Sequence, residues 1–155
     1  MKLTKEKAKE LAKKYLLDSK IKDGEFFYVH TKGVVEVARL LAKKEKIDIK
    51  KIESCAWVHD IGYYLEQEGH AKKGIELLKK EGIKIDEILK DCVLNHGNSG
   101  NPTTKEGKIM QIADKISIMN KDFLEILLNN KIGKEEIDFI KMMFDKSIKM
   151  LEKLK

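Results

Sequence analysis

Apolar residues recur along the chain at intervals of three and four positions, and no stretch of four or more residues alternates convincingly as a strand does. This period predicts helices nearly throughout, over about 4–17, 25–44, 48–64, 70–81, 86–96 and 103–119, with one or two more in 122–155. The first two helices have apolar inner faces, formed by Leu3, Leu11, Tyr15, Leu16, Val29, Val34, Val37, Ala38 and Leu41.

Residues that favour helix ends punctuate this pattern. Thr4 and Asp48 are plausible N-caps, because their side chains can accept hydrogen bonds from the first turn. Thr103 followed by Glu106 matches a capping box. Gly82 is placed to end a helix in the left-handed conformation.

The chain reads as one unit. It has 155 residues, and no internal repeat, linker or shift in composition divides it. The clearest loop is 97–102, which holds the only proline. We therefore expect a single all-α domain over 1–155, a bundle of about six to eight helices.

Composition excludes several classes of protein. With 42% apolar residues, 37% charged residues and a single proline, the chain is neither collagen-like, low-complexity nor disordered. No apolar run is long enough to span a membrane, and the Lys/Glu-rich N-terminus does not resemble a signal peptide. Two cysteines, Cys55 and Cys92, are too few for a secreted disulfide scaffold. We expect ordinary thiols in a cytoplasmic protein.

The charge pattern bears on the partner. The net charge is +6, but only Arg39 among the 32 basic residues is an arginine, and the lysines are interleaved with glutamates. Such interleaving is typical of solvated helix faces supported by local ion pairs. The arginines and exposed aromatic residues of nucleic-acid binders are not evident. We expect a small anionic partner, with neither nucleic acid nor a membrane as the main one.

The third predicted helix combines burial with ionisable side chains. It is apolar on every side from Cys55 onward, yet it contains His59 and Asp60. A buried imidazole beside a buried carboxylate costs several kcal/mol unless both find partners. Neighbouring helical residues point about 100° apart, so a direct bond between the two is awkward. Backbone groups could satisfy them, but a shared cation resolves the cost better.

Other candidate ligands lie on other predicted helices. His30, His70 and His96 belong to the second, fourth and fifth helices, and Asp114 lies among apolar neighbours in the sixth. Taken singly, each histidine could be an ordinary core or surface residue. Ligands from separate helices can converge inside a bundle, where metal sites are commonly built.

The order His30, then His59-Asp60, then Asp114 resembles the HD superfamily of metal-dependent phosphohydrolases, which is named for its adjacent His-Asp pair. The surroundings are similar as well, as seen in His30-Thr31-x-x-Val34, His59-Asp60-Ile61-Gly62 and Ala113-Asp114-Lys115. The likeness covers roughly 30–120. It implies an HD-type metal-binding core at about 25–120, with the N-terminal and C-terminal helices outside it.

The resemblance implies a divalent metal centre with one or two ions. His30, His59, Asp60 and Asp114 would hold one ion. The segments Gly69-His70 and Asn95-His96-Gly97 resemble those that hold a second, with Asp60 bridging; alternatively, His70 and His96 line the pocket and bind phosphate. Imidazole and carboxylate ligands without thiolates suit Mn²⁺, Fe²⁺, Co²⁺, Ni²⁺, Zn²⁺ or Mg²⁺.

The same reading assigns roles around the metal. Asp60 and His59 are the catalytic candidates, with Asp60 as metal bridge or orienter of the attacking water. The candidates to neutralise or approach phosphate are Lys115, which we also count as catalytic, Lys72, Lys73 and Asn98. The loop 97–102 is a candidate rim or lid, because Gly and Asn let a backbone approach phosphate, or else a plain connection between helices.

The resemblance thus predicts a divalent-metal-dependent phosphohydrolase, a phosphomonoesterase or phosphodiesterase, that acts on a nucleotide or other small phosphoester. The alternatives are a dinucleoside-polyphosphate hydrolase of the diadenosine tetraphosphate type, a non-catalytic nucleotide-sensing HD module, and a basic RNA-associated protein. Monomer and homodimer both stay open. We interpret Trp57, Met142, Met143 and Met150 as core or interface residues, because they lie at helical spacings.

Overall fold

The structure, a computed structural model, describes residues 1–117 and 133–152, and these residues form helices without strands. The α-helices in this part of the chain are α1 (Lys5–Ala12), α2 (Gly24–Glu45), α3 (Ile49–Val58), α4 (His70–Lys80), α5 (Glu87–Leu94), α6 (Lys105–Ile116) and α7 (Lys134–Glu152). A π-helical segment, Lys13–Asp18, continues α1, and a 3₁₀-helix, Ile61–Tyr64, follows α3. The all-α fold class is confirmed, whereas the single-domain reading stays a prediction. The predicted end of the sixth helix near Met119, and the first part of the region 122–155 in which one or two helices are predicted, lie outside the described residues.

Side-chain caps begin three helices, and two of these caps, Thr4 and Asp48, are the ones that the sequence predicts. Thr4, Asp48 and Asp86 each accept a hydrogen bond from the backbone N–H three residues later. Gly82, with φ of 73°, follows the end of α4 in the left-handed region. Local sequence therefore sets these helix ends.

The start of α6 differs from the predicted capping box. Thr104 rather than Thr103 is the N-cap, and its hydroxyl accepts from the N–H of Gly107 at 2.9 Å. The cause is Asp91 on α5, whose Oδ2 accepts from the N–H groups of Thr103 and Thr104 and from the Thr104 hydroxyl, at 3.0, 2.8 and 2.6 Å. Glu106 consequently lies one position too early to close a capping box.

The predicted third helix breaks at the His-Asp pair instead of running to about Tyr64. α3 ends at Val58, His59 keeps helical angles, and Asp60 adopts φ −108° and ψ 4° before the 3₁₀-helix begins. The 3₁₀-helix lies directly on the backbone of α4. A Cβ atom on Gly62 would lie 1.8 Å from the carbonyl oxygen of His70, so only glycine permits this approach.

The core surrounds α3, which packs against α1, α2, α5 and α6. Its largest fully buried apolar side chains are Leu11, Leu16, Ile52, Ile61, Leu78, Leu89, Met110, Val34, Val58 and Val93. Trp57 belongs to this core, as do Cys55 and Cys92, which are free thiols. The C-terminal end of α3 therefore delivers His59 to the interior of the bundle. Within 1–117 and 133–152, no helix is both long and apolar enough to cross a membrane.

Candidate metal centre

Four histidines and two aspartates from five parts of the fold converge where α3 ends. They are His30 on α2, His59 and Asp60 after α3, His70 at the start of α4, His96 after α5 and Asp114 on α6. His59, Asp60, His96 and Asp114 are buried, and the other two are half-buried. The structure thus brings together all six residues proposed as ligands.

Asp60 lies between two pairs of histidines. Its Oδ2 is 3.1 Å from Nε2 of His59 and 3.6 Å from Nε2 of His30. Its Oδ1 is 3.2 Å from Nε2 of His96 and 3.4 Å from Nε2 of His70. In each of the two groups that share Asp60, the candidate ligand atoms lie within 4.8 Å of one another. This is the arrangement that a bridging carboxylate requires.

Asp114 joins the pair formed by His30 and His59. Its Oδ1 is 2.9 Å from Nε2 of His30 and 3.7 Å from Nε2 of His59. Its other oxygen, Oδ2, contacts the ammonium group of Lys115, which is buried. Each oxygen of Asp114 therefore has a separate partner.

Hydrogen bonds on the outer side of each histidine set which ring nitrogen faces the centre. The Nδ1 atoms of His59, His70 and His96 donate to the carbonyl oxygen three residues earlier, at 2.8, 3.1 and 2.8 Å. Nδ1 of His30 lies 3.3 Å from the hydroxyl of Ser117, which donates to a carbonyl of α6 at 2.8 Å. Because a carbonyl can only accept, each Nδ1 carries a proton and each Nε2 is available at the centre.

The centre attracts positive charge. Burial lowers the pKa of His59, but Asp60 and Asp114 outweigh burial and raise that pKa to about 10. Burial raises the pKa of Asp60, yet His59 and the other histidines hold it well below its usual range. The pKa of Asp114 is likewise depressed against burial, by His30, His59 and Lys115. Both carboxylates stay ionised, so the site favours a bound cation, either a proton or a metal ion.

Two buried polar atoms at the centre make no hydrogen bond within the protein, although charged groups lie close to them. Nε2 of His59 and Oδ1 of Asp60 are buried without a hydrogen bond. Nε2 of His70 faces Nε2 of His96 at 3.2 Å, although both rings already donate through Nδ1. Two lone pairs at that distance need a proton or a metal ion between them, and unpaired buried polar atoms are costly. These nitrogen and oxygen donors fit a divalent metal ion of open identity.

A cavity of about 630 Å³ opens onto the centre. Its lining includes His30, Asp60, His70, His96, Asp114, Lys115 and Asn98. It also includes five apolar or aromatic side chains that the sequence analysis did not assign to a site, namely Phe26, Phe27, Tyr63, Phe139 and Met143. A cavity of this size suits a small organic ligand.

The four candidate phosphate-binding residues divide into two groups. Lys115 and Asn98 line the cavity. Lys72 and Lys73 lie on α4 and are absent from the cavity lining, and the ammonium of Lys73 pairs with Glu76 on its own helix at 3.0 Å. The structure therefore gives Lys72 and Lys73 no place at the cavity.

The loop 97–102 is held by one side chain of α6. Nε2 of Gln111 donates to the carbonyl oxygens of Gly97, Gly100 and Asn95, at 2.9, 3.0 and 3.3 Å. Asp91 fixes the chain just beyond this loop. Of the readings that the sequence left open, these contacts favour a fixed rim over a lid.

Tyr63, three residues after Asp60, forms part of the aromatic side of the cavity. The ring of Tyr63 is stacked between those of Phe27 and His70, with centroids 4.0 Å apart on each side. Burial, followed by Asp60 and Asp114, raises the pKa of Tyr63, so its phenol stays protonated. The position of Tyr63, three residues after Asp60, is a signal that could have found it.

Phe139 and Met143 carry no such signal. They lie on α7, far along the chain from every ligand, and their helical spacing led us to interpret Met143 as core or interface. The structure instead places Met143 on the cavity wall, beside Phe139. Met142 is 41% exposed, so it is not a core residue. The side chain of Met150 is not among those that the structure describes.

An all-α bundle in which an adjacent His-Asp pair meets histidines and an aspartate from other helices defines a class of metal-binding proteins, and comparison with known families identifies it. The family model described as HD domain matches residues 27–119, more than half of the chain. The chain therefore belongs to the HD domain family. The centre and most of its cavity lie inside the matched segment, whereas α7 lies outside it.

Known relatives agree with this assignment. The chain is 29% identical over 146 residues to a deoxyguanosinetriphosphate triphosphohydrolase-like protein of Caldanaerobacter subterraneus subsp. tengcongensis, a match that covers 79% of this chain and 42% of that protein. It is 33% identical over 110 residues to ribonuclease Y of Borreliella burgdorferi, covering 68% of this chain and 21% of that protein. The chain thus spans less than half the length of either relative.

A solved structure shares the fold. The crystal structure of a protein described as a "predicted HD superfamily hydrolase", from an uncultured Thermotogales bacterium, superposes with a TM-score of 0.63 and 21% sequence identity. The match covers 96% of this chain and 90% of that one.

Proposed function

We propose that this chain is a divalent-metal-dependent phosphohydrolase acting on a nucleotide or other small phosphoester. One observation carries the proposal: the two oxygens of Asp60 face two separate pairs of histidines whose Nε2 atoms point inward. Membership of a family with hydrolase relatives supports it. A bound divalent ion supplies Lewis-acid chemistry, because it polarises a phosphoryl group and makes water more acidic.

The ligands would divide into two sets around Asp60. His30, His59 and Asp114 would hold one ion, and His70 and His96 a second, with Asp60 shared. The side chain of His59 is fully buried and bound to the carbonyl of Ala56, so its role is that of a ligand and not of a proton carrier to substrate.

Two side chains have roles toward water and substrate. Asp60 is ionised, and a free lone pair on it can accept a hydrogen bond from the attacking water and orient it. Lys115 lies in the cavity wall, where its ammonium can neutralise a phosphoryl oxygen while it stays against Asp114. Asn98 on the fixed rim is a further candidate contact for phosphate.

A second candidate function is cleavage of a phosphodiester in RNA. The observation that favours it is the likeness to proteins named ribonuclease Y over about two thirds of this chain. The same centre could serve either reaction, because both displace an oxygen at phosphorus. A diadenosine tetraphosphate-type hydrolase and a nucleotide sensor are further alternatives within the same site.

The deciding experiment is hydrolysis by metal-stripped protein resupplied separately with Mn²⁺, Co²⁺, Ni²⁺, Zn²⁺ and Mg²⁺. The substrates are nucleoside phosphates, diadenosine tetraphosphate, an alkyl phosphodiester and a short oligoribonucleotide, with products separated by chromatography. We expect metal-dependent hydrolysis of one class of small phosphoester. Preference for the oligoribonucleotide would instead favour the second candidate.

Two variants frame that experiment. Asp60→Ala removes the shared carboxylate, so the metal content should fall. Activity should fall by more than about a hundredfold. Lys73→Ala is the control, because that lysine pairs with Glu76 outside the cavity. Full activity and full metal content in Asp60→Ala would refute the proposal. Tight nucleotide binding without any product would favour the sensor.

A further inference from the structure

We propose that the cavity takes a substrate that carries a single phosphoryl group and a planar aromatic group, and that Phe139 and Met143 of α7 bind the faces of this aromatic group. The inference rests on the proposed function, because it places the phosphoryl group at the His/Asp centre. A nucleoside monophosphate has the required chemistry, whereas a nucleoside triphosphate does not.

The residues of α2 show how the chemical character of the cavity lining changes from its inner to its outer end. His30, Phe27, Phe26 and Asp23 all line it, and they follow one another along this helix and its N-cap. His30 lies seven positions after Asp23, which corresponds to roughly 10 Å along the axis. The cavity therefore passes from the candidate metal centre, across two aromatic residues, to a carboxylate at its outer end.

Charge along this path disfavours additional phosphoryl groups. Among the described residues that line the cavity, Lys115 is the one Lys or Arg side chain. Three carboxylates line it as well, those of Asp23, Asp60 and Asp114. Lys115 is in contact with Asp114 beside the centre. A phosphate chain extending outward would leave the candidate metal ligands, cross aromatic faces and approach Asp23. Each further phosphoryl group adds negative charge that the described residues of this path do not neutralise.

The apolar faces along the path suit a planar group. Phe139 and Met143 are four residues apart, so they share one face of α7. Phe139 is 45% exposed although it lines the cavity, which leaves its ring accessible to a ligand. Phe26 packs edge-to-face on Phe27, with centroids 5.6 Å apart. An aromatic base between α2 and α7 would cover these faces, and donors on the base or the sugar could reach Asp23.

The test compares dGMP, dGDP, dGTP and 2-deoxyribose 5-phosphate on the full chain with Mn²⁺. The guanine series is chosen because a relative is named for a triphosphate of this nucleoside. Hydrolysis is followed by chromatography, and binding is measured in parallel by calorimetry under conditions of no turnover. We expect dGMP to exceed dGTP in kcat/KM and in affinity by at least about tenfold. The base-free sugar phosphate should bind more weakly than dGMP.

Three variants locate the contacts. Phe139→Ala should raise the KM for dGMP roughly five- to tenfold with kcat nearly unchanged, because it removes binding made equally in ground and transition states. Phe139→Ala should leave the affinity for 2-deoxyribose 5-phosphate unchanged, because this compound has no base. Ile148→Ala is the matched control, since Ile148 is an exposed apolar residue of α7 outside the cavity lining. Asp23→Asn should narrow the preference for dGMP over dGTP.

The outcomes separate this inference from the proposed function. Better binding or cleavage of dGTP than of dGMP, or no effect of Phe139→Ala on dGMP, overturns the inference while hydrolysis itself upholds the proposed function. Binding with the expected preferences but without hydrolysis supports the inference and overturns the proposed function. Failure of all four compounds to bind overturns the inference, whereas the proposed function is decided by the wider substrate panel described above.

Discussion

At the scale of single residues, the adjacent pair His59-Asp60 depends on where a helix stops. On a continuous helix the two side chains would diverge by about 100°, which made a direct contact awkward in the sequence analysis. The structure removes that obstacle, because His59 is the last residue with helical angles and Asp60 has already left them. Nε2 of His59 consequently lies 3.1 Å from Oδ2 of Asp60, and both face the same centre.

Asp91 gives a prediction about acid stability. Its carboxylate accepts from Asn95, from two backbone N–H groups and from the Thr104 hydroxyl, and these bonds outweigh burial and lower its pKa. Asp91→Asn should lower the free energy of unfolding at pH 7 by about 2–4 kcal/mol. Because the folded-state pKa is depressed, this stabilisation is present above the ordinary pKa near 4 and disappears as the pH falls through the folded value.

The measurement is urea unfolding of metal-stripped protein, carried out at pH 7 and at several values between pH 5 and pH 2.5. The difference between wild type and Asp91→Asn should shrink as the pH falls. Glu87→Gln is the control, because Glu87 is an exposed carboxylate on the same helix. A difference that is constant over this pH range would contradict the assignment of the stabilisation to the Asp91 carboxylate.

At the scale of elements, the contact between the 3₁₀-helix and α4 depends on Gly62. A Cβ atom there would lie 1.8 Å from the carbonyl oxygen of His70 and 2.6 Å from the backbone nitrogen of Gly74. Neither atom can move without shifting α4, so Gly62→Ala should cost at least about 2–3 kcal/mol of unfolding free energy. Gly97→Ala is the matched control, because a Cβ at Gly97 meets nothing within 4 Å. Chemical unfolding of both variants checks this, and equal stabilities would refute the close contact.

A second prediction at this scale concerns Gln111 and the loop 97–102. Gln111→Leu removes the donor shared by two loop carbonyls, those of Gly97 and Gly100, and by the carbonyl of Asn95 just before the loop. Amide hydrogen exchange in the loop should therefore accelerate by at least about tenfold. Exchange in α2 and α3 should stay as in the wild type. Lys108→Leu is the control, since Lys108 is an exposed residue one turn earlier on α6. Mass spectrometry of peptic fragments reads both regions, and an unchanged loop would show that Gln111 does not hold it.

The elements also show how far sequence reasoning reaches. Helix ends set by local chemistry, such as the caps Thr4 and Asp48, were predictable, because the capping bond involves residues three positions apart. The end of α3 and the start of α6 were misplaced. Both depend on distant partners: α4, which meets Gly62, and Asp91, which binds the N–H groups that precede α6. A periodic pattern does not reveal such contacts.

At the scale of the whole molecule, contacts between distant elements again limit what the sequence predicts: the ligand candidates were predicted, but part of the cavity wall was not. The resemblance supplied the six ligand candidates, and the fold brings them together. The wall from α7 was not predictable, because the pattern shows that a helix is amphipathic but not which neighbour it faces. Met143 was therefore interpreted as a core or interface residue and Phe139 was not singled out, although both line the cavity.

Because the candidate ligands come from five parts of the fold, metal binding at the proposed centre would stabilise the whole bundle, and this gives the last prediction. A free ion concentration of about 100 times the Kd for the folded state adds about 2.7 kcal/mol to the free energy of unfolding. For a chain of this size, that corresponds to a rise in Tm of about 5–10 °C. Differential scanning calorimetry of stripped protein with and without Mn²⁺ measures the shift. Asp60→Asn should lose most of it, because Asp60 is the residue that both groups share, whereas Lys73→Ala should keep it. An equal shift in Asp60→Asn and wild type would mean that the ion binds elsewhere, and the proposed centre would be wrong.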